Sequence, residues 1–277
     1  MPPTAARLPN GQLHLNHGPI DLIIRVEGDA RATAEAALIR RFQTILTELV
    51  AELATLRAPL TPHTTLHGPT AQRMLHAIRP YLPEFLTPMA AVAGAVADEM
   101  IATLQPLKGI TKASINNGGD TAMLLTPNTQ TTALIAGTTT TLTLTAAQPY
   151  RGIATSGWRG RSYSLGIADA VTVIARTAAQ ADAAATMIAN RIDLPGHPAI
   201  SRTPANQLSP DSDLGPRRVT TNVGPLTPAE ITTALAQGAA YAQTLLDRGL
   251  IAAAALFLQG STHEIGPINA LKEPTHA

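Results

Sequence analysis

A chain of 277 residues with 45% apolar side chains is long enough to bury one large core or two small ones, which excludes disorder as its general state. Its 20 basic and 19 acidic residues leave a formal charge of +1, and only 14% of residues are charged. No broad field is available to recruit nucleic acid or an anionic membrane, so any recognition of anions is local. The absence of cysteine removes disulfides, iron–sulfur clusters and a thiol nucleophile.

The opening MPPTAARLPNGQ lacks the basic start, apolar stretch and cleavage site of a secretory signal. The apolar runs at 88–97 and 250–258 fall short of the ~18 residues of a membrane-span candidate. The chain therefore reads as cytoplasmic, with no membrane partner. Residues 13–26 alternate around the turn-like His17-Gly18-Pro19 and predict a hairpin, after which Asp29 is placed to cap a long helix. Leu38, Phe42, Leu46, Leu49, Leu53 and Leu56 give that helix one buried face, and Arg57-Ala58-Pro59 ends it. A proline- and histidine-bearing loop covers 59–68, a short helix follows near 70–79, and another runs from Pro88 to about Leu104. The last is apolar nearly all round, with Thr87 as its start signal and Asp98 and Glu99 as its only charges, so it belongs between layers.

From Lys112 the period changes to two, with strands expected at 114–116, 121–125, 132–136 and 139–145. Further strands are expected at 152–154, 162–165 and 170–175. Thr177 with Gln180 then forms a capping-box signature for a helix to about Ile192. A loop rich in Pro, Asp and Ser fills 194–216. It is followed by a strand at 218–223, a helix announced by Thr227, Pro228 and Glu230, and an apolar strand at 251–258. This order favours an α+β fold, antiparallel sheets packed with helices, in one domain over residues 1–277.

The chemistry-bearing residues gather between 116 and 190. Asn116-Asn117-Gly118-Gly119-Asp120 reads either as a tight hairpin or as a turn whose bare glycines admit a ligand while the Asn side chains read its polar edge. Ala154-Thr155-Ser156-Gly157-Trp158-Arg159-Gly160-Arg161 offers hydroxyls, flexible amides and two guanidinium forks to a phosphate or diphosphate, with Trp158 as a stacking face; its alternative is a β-turn with solvated arginines. Asp182 and Thr186 stand four apart on one helix face, a spacing open to Mg²⁺ or to plain surface decoration. His63 and His67 sit among Pro, Thr and Gly with no carboxylate near, which does not suit a metal role, and Asp211 and Asp213 read as solvated loop carboxylates.

Together these segments resemble the ApbE-like superfamily, best known for magnesium-dependent FAD:protein FMN transferases. The run AAVAGAVAD at 90–98 is similar to that family's glycine-containing helix ending in Asp, which places Gly94 and Asp98 on matching positions. NNGGD resembles its strand-turn glycine pair, ATSG its phosphate-side loop, and ADAAAT puts Asp182 and Thr186 on its metal-binding Asp and Thr. The resemblance implies a T-fold-related α+β architecture with a ligand cleft at the sheet edge. It also implies Mg²⁺ on Asp182 and Thr186, and a flavin (FAD or FMN) or related nucleotide held by Asn116, Asn117, Gly118, Gly119, Asp120, Thr155, Ser156, Gly157, Arg159 and Arg161. Two positions depart from the transferases: Leu165 stands where they carry the histidine base, and Ala93 where they carry a lysine. Asp169 is the nearest titratable residue to the lost histidine and the candidate base. The expected function is Mg²⁺-dependent binding, with transfer or hydrolysis, of a flavin or related nucleotide diphosphate. The alternatives are a non-catalytic flavin or pterin binding protein and a structural homo-oligomer.

Overall fold

The computed structural model describes residues 2–136 and 141–268. Its centre is a nine-stranded sheet in the order β1 (Thr4–Arg7), β2 (Leu13–His17), β3 (Ile20–Glu27), β4 (Lys112–Asn117), β5 (Asp120–Leu125), β8 (Gly152–Ser156), β9 (Ala170–Ala175), β12 (Ala253–Leu258) and β13 (Ser261–Ile265). Every neighbouring pair is antiparallel. Strands β6 (Gln130–Leu134) and β7 (Thr141–Thr145) form a separate hairpin, as do β10 (Ile200–Pro204) and β11 (Arg218–Val223).

Strand alternation gives the sheet two apolar faces. One receives α1 (Arg31–Ala51), α4 (Val92–Leu104), α5 (Ala178–Arg191) and α7 (Pro228–Asp247); α3 (Pro69–Ile78) packs outside on α4 and α5, and two single-turn helices, α2 (Leu53–Leu56) and α6 (Ala205–Leu208), lie in connections. Ile24, Ile115, Ala122, Ala154, Val171, Val173 and Leu256 point into this helical core. On the other face Met123, Ile153, Ile174, Ala253 and Ala255 pack under Leu142 and Leu144 of the β6–β7 hairpin. The α+β class with antiparallel sheets is thus as expected.

Several local expectations are corrected. Asp29 does not cap α1: the cap position is Ala30, without a side-chain hydrogen bond, and the Ala30 amide is fixed by the Gly109 carbonyl at 3.1 Å. The buried face of α1 runs through Leu38, Phe42, Ile45 and Leu49, with Leu46 and Leu53 only partly covered. The helix breaks at Glu52, whose carboxylate accepts the His67 and Gly68 amides, both at 2.7 Å, and so ties the break to the start of α3. Residues 162–165 are loop rather than strand, because Leu165 N and the Ser164 hydroxyl bond to Asn190 Oδ1 instead of a ladder. The expected loop at 194–216 contains β10 and α6. Asp213 there is not a free carboxylate, since it accepts the Thr87 hydroxyl. Thr139 and Thr140, expected in a strand, lie outside the described residues. No helix among the described residues is long and apolar enough to cross a membrane.

Candidate functional site

Alternation along three central strands decides which of the expected site residues can meet. Asn117 and Asp120 share the side of Ile115 and Ala122, and Ser156 the side of Ala154, so all three face the helices. Asn116 and Thr155 face away. Asn116 Nδ2 donates to Thr121 Oγ1 at 2.8 Å, and the Thr155 hydroxyl shares a 2.9 Å hydrogen bond with that of Thr172. The structure therefore divides the expected set between two faces: Thr155 reaches the helix side only through its backbone.

Gly118 and Gly119, at φ 64° and 119°, close the β4–β5 hairpin, conformations that a residue with a Cβ adopts only under strain. Beyond this turn the sheet opens. Strands β5 and β8 pair only at Thr121 with Ile153 and Ala122 with Gly152. One position further on, the Asp120 carboxylate takes the place of a strand and accepts the Thr155 amide at 3.2 Å. The hairpin is held to α4 by Asn117, whose Nδ2 donates to the Ala93 carbonyl at 3.1 Å.

Helix α5 then brings Asp182 against Asp120. Thr177 caps this helix by accepting the Gln180 amide, while the reciprocal bond of a capping box is absent and Gln180 Oε1 stays without a partner. The start of α5 is fixed from α4, where Asp98 accepts the Ala178 and Ala179 amides at 3.0 and 2.8 Å. One turn on, Asp182 Oδ2 accepts the Gly94 amide at 3.1 Å and its carboxyl comes within hydrogen-bonding reach of Asp120. Burial pushes the Asp120 carboxyl up to about 7, against the opposing pull of the Thr155 amide. Burial, and then the neighbouring Asp120 charge, raise Asp182 well above the usual carboxylate range. No basic side chain among the described residues bonds to either carboxyl. The nearby oxygens come from Asp120, Asp182 and, one turn further along α5, the partly exposed Thr186 hydroxyl, which has no hydrogen bond within the described chain. Among the described residues no group of three His, Cys, Asp or Glu side chains gathers to hold a metal. An all-oxygen set that supplies few protein ligands suits a hard cation completing its shell with water and phosphate oxygens.

The segment after β8 forms the rim. Gly157 is buried, with its α-carbon against the Asp169 carbonyl. Asp169 accepts Trp158 Nε1 at 3.1 Å and Arg159 Nε at 2.6 Å on one oxygen, and the Gln259 amide at 2.7 Å on the other. Arg159 also lies over the Trp158 ring, 4.6 Å from its centroid. Both oxygens of Asp169 are engaged, so in this geometry it anchors Trp158, Arg159 and the Gln259 backbone, and Arg159 covers one face of Trp158. Arg161 is exposed, donates to the Pro19 carbonyl at 3.2 Å and lies over Gly118. Leu165 is partly exposed on a loop clamped to Asn190 near the end of α5, two turns, roughly 12 Å of helix rise, beyond Asp182. Asn190 and Gln259 were not singled out from the sequence, because each acts on a partner far away along the chain.

A family model described as "AbpE bacteria" matches residues 5–264. A UPF0280 protein of Methanopyrus kandleri is 31% identical over 176 residues, 61% of this chain and 69% of that protein. UPF0280 proteins of Methanothermobacter thermautotrophicus and Methanospirillum hungatei are 39% and 36% identical, over 49% and 42% of this chain and about half of their own lengths (54% and 49%). Among solved structures, the apo flavinyl transferase ApbE of Pseudomonas stutzeri aligns at 15% identity over 98% of this chain and 97% of its own, with a TM-score of 0.46. The flavin transferase ApbE of Vibrio cholerae aligns at 11% identity over 95% and 96%, also at 0.46. By the match of the family model along nearly its whole described length, the chain belongs to the family described as AbpE bacteria.

Proposed function

We propose that this chain binds a flavin or a related nucleotide diphosphate, from a cytoplasmic pool, together with Mg²⁺ in the opening between β5, β8 and α5. One observation carries the reading: the buried Asp120 carboxyl and the partly exposed Asp182 carboxyl stand side by side, with no basic partner among the described residues, beside a bare glycine turn. A close pair of like charges is unfavourable by itself and becomes favourable when a divalent cation lies between them. Asp182 and the Thr186 hydroxyl would hold the metal, which supplies charge neutralisation and alignment of the phosphates. Ser156, the Gly157 amide and the Gly118–Gly119 turn would line the phosphate side, with Asn117 holding the turn against α4. The flavin identity rests on family membership, the phosphate and cation chemistry on the geometry.

Calorimetric titration with FAD, FMN, ADP and ATP tests this. Binding is expected for at least one of them with Mg²⁺ and should weaken by about tenfold or more, about 1.4 kcal/mol, in Asp182→Asn. No binding at high micromolar ligand would sink the reading.

A second reading, a flavin or pterin carrier without catalysis, draws on the occupied carboxylate of Asp169 and on Leu165 at the place of the family's histidine. Chromatography of FAD incubated with the protein and Mg²⁺ separates the two. Release of FMN and AMP that is lost in Asp182→Asn supports an enzyme; binding with unchanged FAD supports the carrier.

A further inference from the structure

We infer that Arg161 is the residue that selects phosphorylated over unphosphorylated ligands at this site, and that Arg159 is not. The inference rests on the phosphate-binding reading above. Two arginines flank Gly160 in sequence, yet their surroundings differ. Arg159 is committed two ways: its Nε meets Asp169 Oδ1 at 2.6 Å and its guanidinium covers the Trp158 ring at 4.6 Å, while Asp169 is itself held by the Trp158 and Gln259 N–H groups. Turning Arg159 toward a ligand would break an ion pair with a mostly buried carboxylate.

Arg161 carries none of these ties. It has no carboxylate partner among the described residues, and its one hydrogen bond is to a backbone carbonyl, Pro19 O at 3.2 Å. Its other terminal nitrogen, Nη1, would lie 2.9 Å from a Cβ built on Gly118. The guanidinium therefore rests on the bare face of the turn that leads into Asp120, and the glycine makes room for it. Beside it, nothing lies within 4 Å of a Cβ built on Gly119, so the adjacent face is open. A fork without a carboxylate partner, beside an open glycine turn that leads into Asp120, is arranged to grip phosphate oxygens, whose remaining charge a cation held by Asp182 would neutralise.

The test compares FAD, FMN and riboflavin by flavin-fluorescence titration with Mg²⁺ in the wild type, Arg161→Gln, Arg161→Lys and Arg159→Gln, with thermal melts of each. Arg161→Gln should weaken FAD and FMN by about 10- to 100-fold and leave riboflavin within about twofold, with the melting temperature unchanged. Arg161→Lys should restore part of the loss, since lysine supplies the charge without the fork. Arg159→Gln should lower the melting temperature and keep the preference for phosphorylated flavin. If the wild type prefers FAD to riboflavin and Arg161→Gln keeps that preference, Arg161 is not the selector while the site reading stands. Equal wild-type affinity for riboflavin and FAD overturns the inference directly, and no flavin or nucleotide binding at all overturns the site reading with it.

Discussion

Asp98 shows what a buried carboxylate does when it is not part of the candidate site. It reaches from α4 to the first two amides of α5, groups that no carbonyl within that helix can satisfy. Burial raises its pKa, and the two amides and the nearby charge of Arg73 pull against that shift. Asp98→Ala would leave two amides without their acceptor. We expect a loss of about 2–4 kcal/mol in urea unfolding, with Asp98→Asn, which keeps one acceptor oxygen, losing less. A loss under about 0.5 kcal/mol in Asp98→Ala would show that water replaces the carboxylate. Both Asp98 and Asp182 were visible in the sequence, but only through the family pattern. In residue types alone Asp182 with Thr186 could not be told from a solvated helix face, because the partner that gives it meaning, Asp120, lies 62 positions earlier on strand β5. The surroundings of Asp169 are hidden for the same reason: Trp158 with Arg159, and Gln259, come to it from two separate places in the chain.

Among the elements, the ones legible in the sequence are those with local causes. The strand at Ala170–Ala175 follows from a short, nearly continuous apolar run, the strand at Arg218–Val223 from its β-branched residues, and helix α7 from a capping box in which Thr227 and Glu230 bond reciprocally. Strands β1, β10 and β13 are not legible in the sequence; they are short, exposed or half-buried nearly throughout, and defined by their neighbours rather than by apolar alternation. The α7 cap has a pH signature. The Thr227 amide first, and then the His197 and Thr227 side chains, lower the Glu230 carboxyl from 4.5 to about 2. A carboxyl depressed in the folded state stabilises above its unfolded pKa, and that contribution declines as pH falls from about 4.5 to about 2. Glu230→Gln should therefore flatten the acid side of the stability–pH curve over that window, and an identical acid limb in both proteins would refute it. The contact of α4 with α5 depends on Gly94, where an added Cβ would stand 2.3 Å from the Ala178 carbonyl oxygen. Gly94→Ala must push the helices apart, at a cost of about 1–3 kcal/mol, and with them the Gly94 amide from Asp182. Stability and Mg²⁺-dependent binding should fall together in this variant, whereas Asp182→Asn should impair binding more than folding.

On the scale of the whole molecule, the two apolar clusters lie on opposite faces of the same strands. Ala154 and Val173 point to the helices, while their neighbours Ile153 and Ile174 point to the β6–β7 hairpin. A strand cannot leave one cluster without leaving the other, so the expectation of a single domain becomes a prediction about cooperativity. Leu38 in α1 and Leu144 in β7 are both fully buried, one in each cluster. Truncation of either to alanine should cost about 2–5 kcal/mol. If the sheet couples the faces, each variant shifts one common transition, seen alike by far-ultraviolet circular dichroism and by the fluorescence of Trp158, the only tryptophan. Calorimetric and van't Hoff enthalpies should then agree. If Leu144→Ala instead splits the melt into two steps while Leu38→Ala does not, the hairpin side folds as a separate unit and the one-domain reading is wrong. The same variants bear on the site, because Asp120 and Thr155 belong to the strands that both clusters share. A cooperative sheet therefore predicts that ligand with Mg²⁺ raises the single melting temperature of the wild type and of Leu144→Ala by similar amounts.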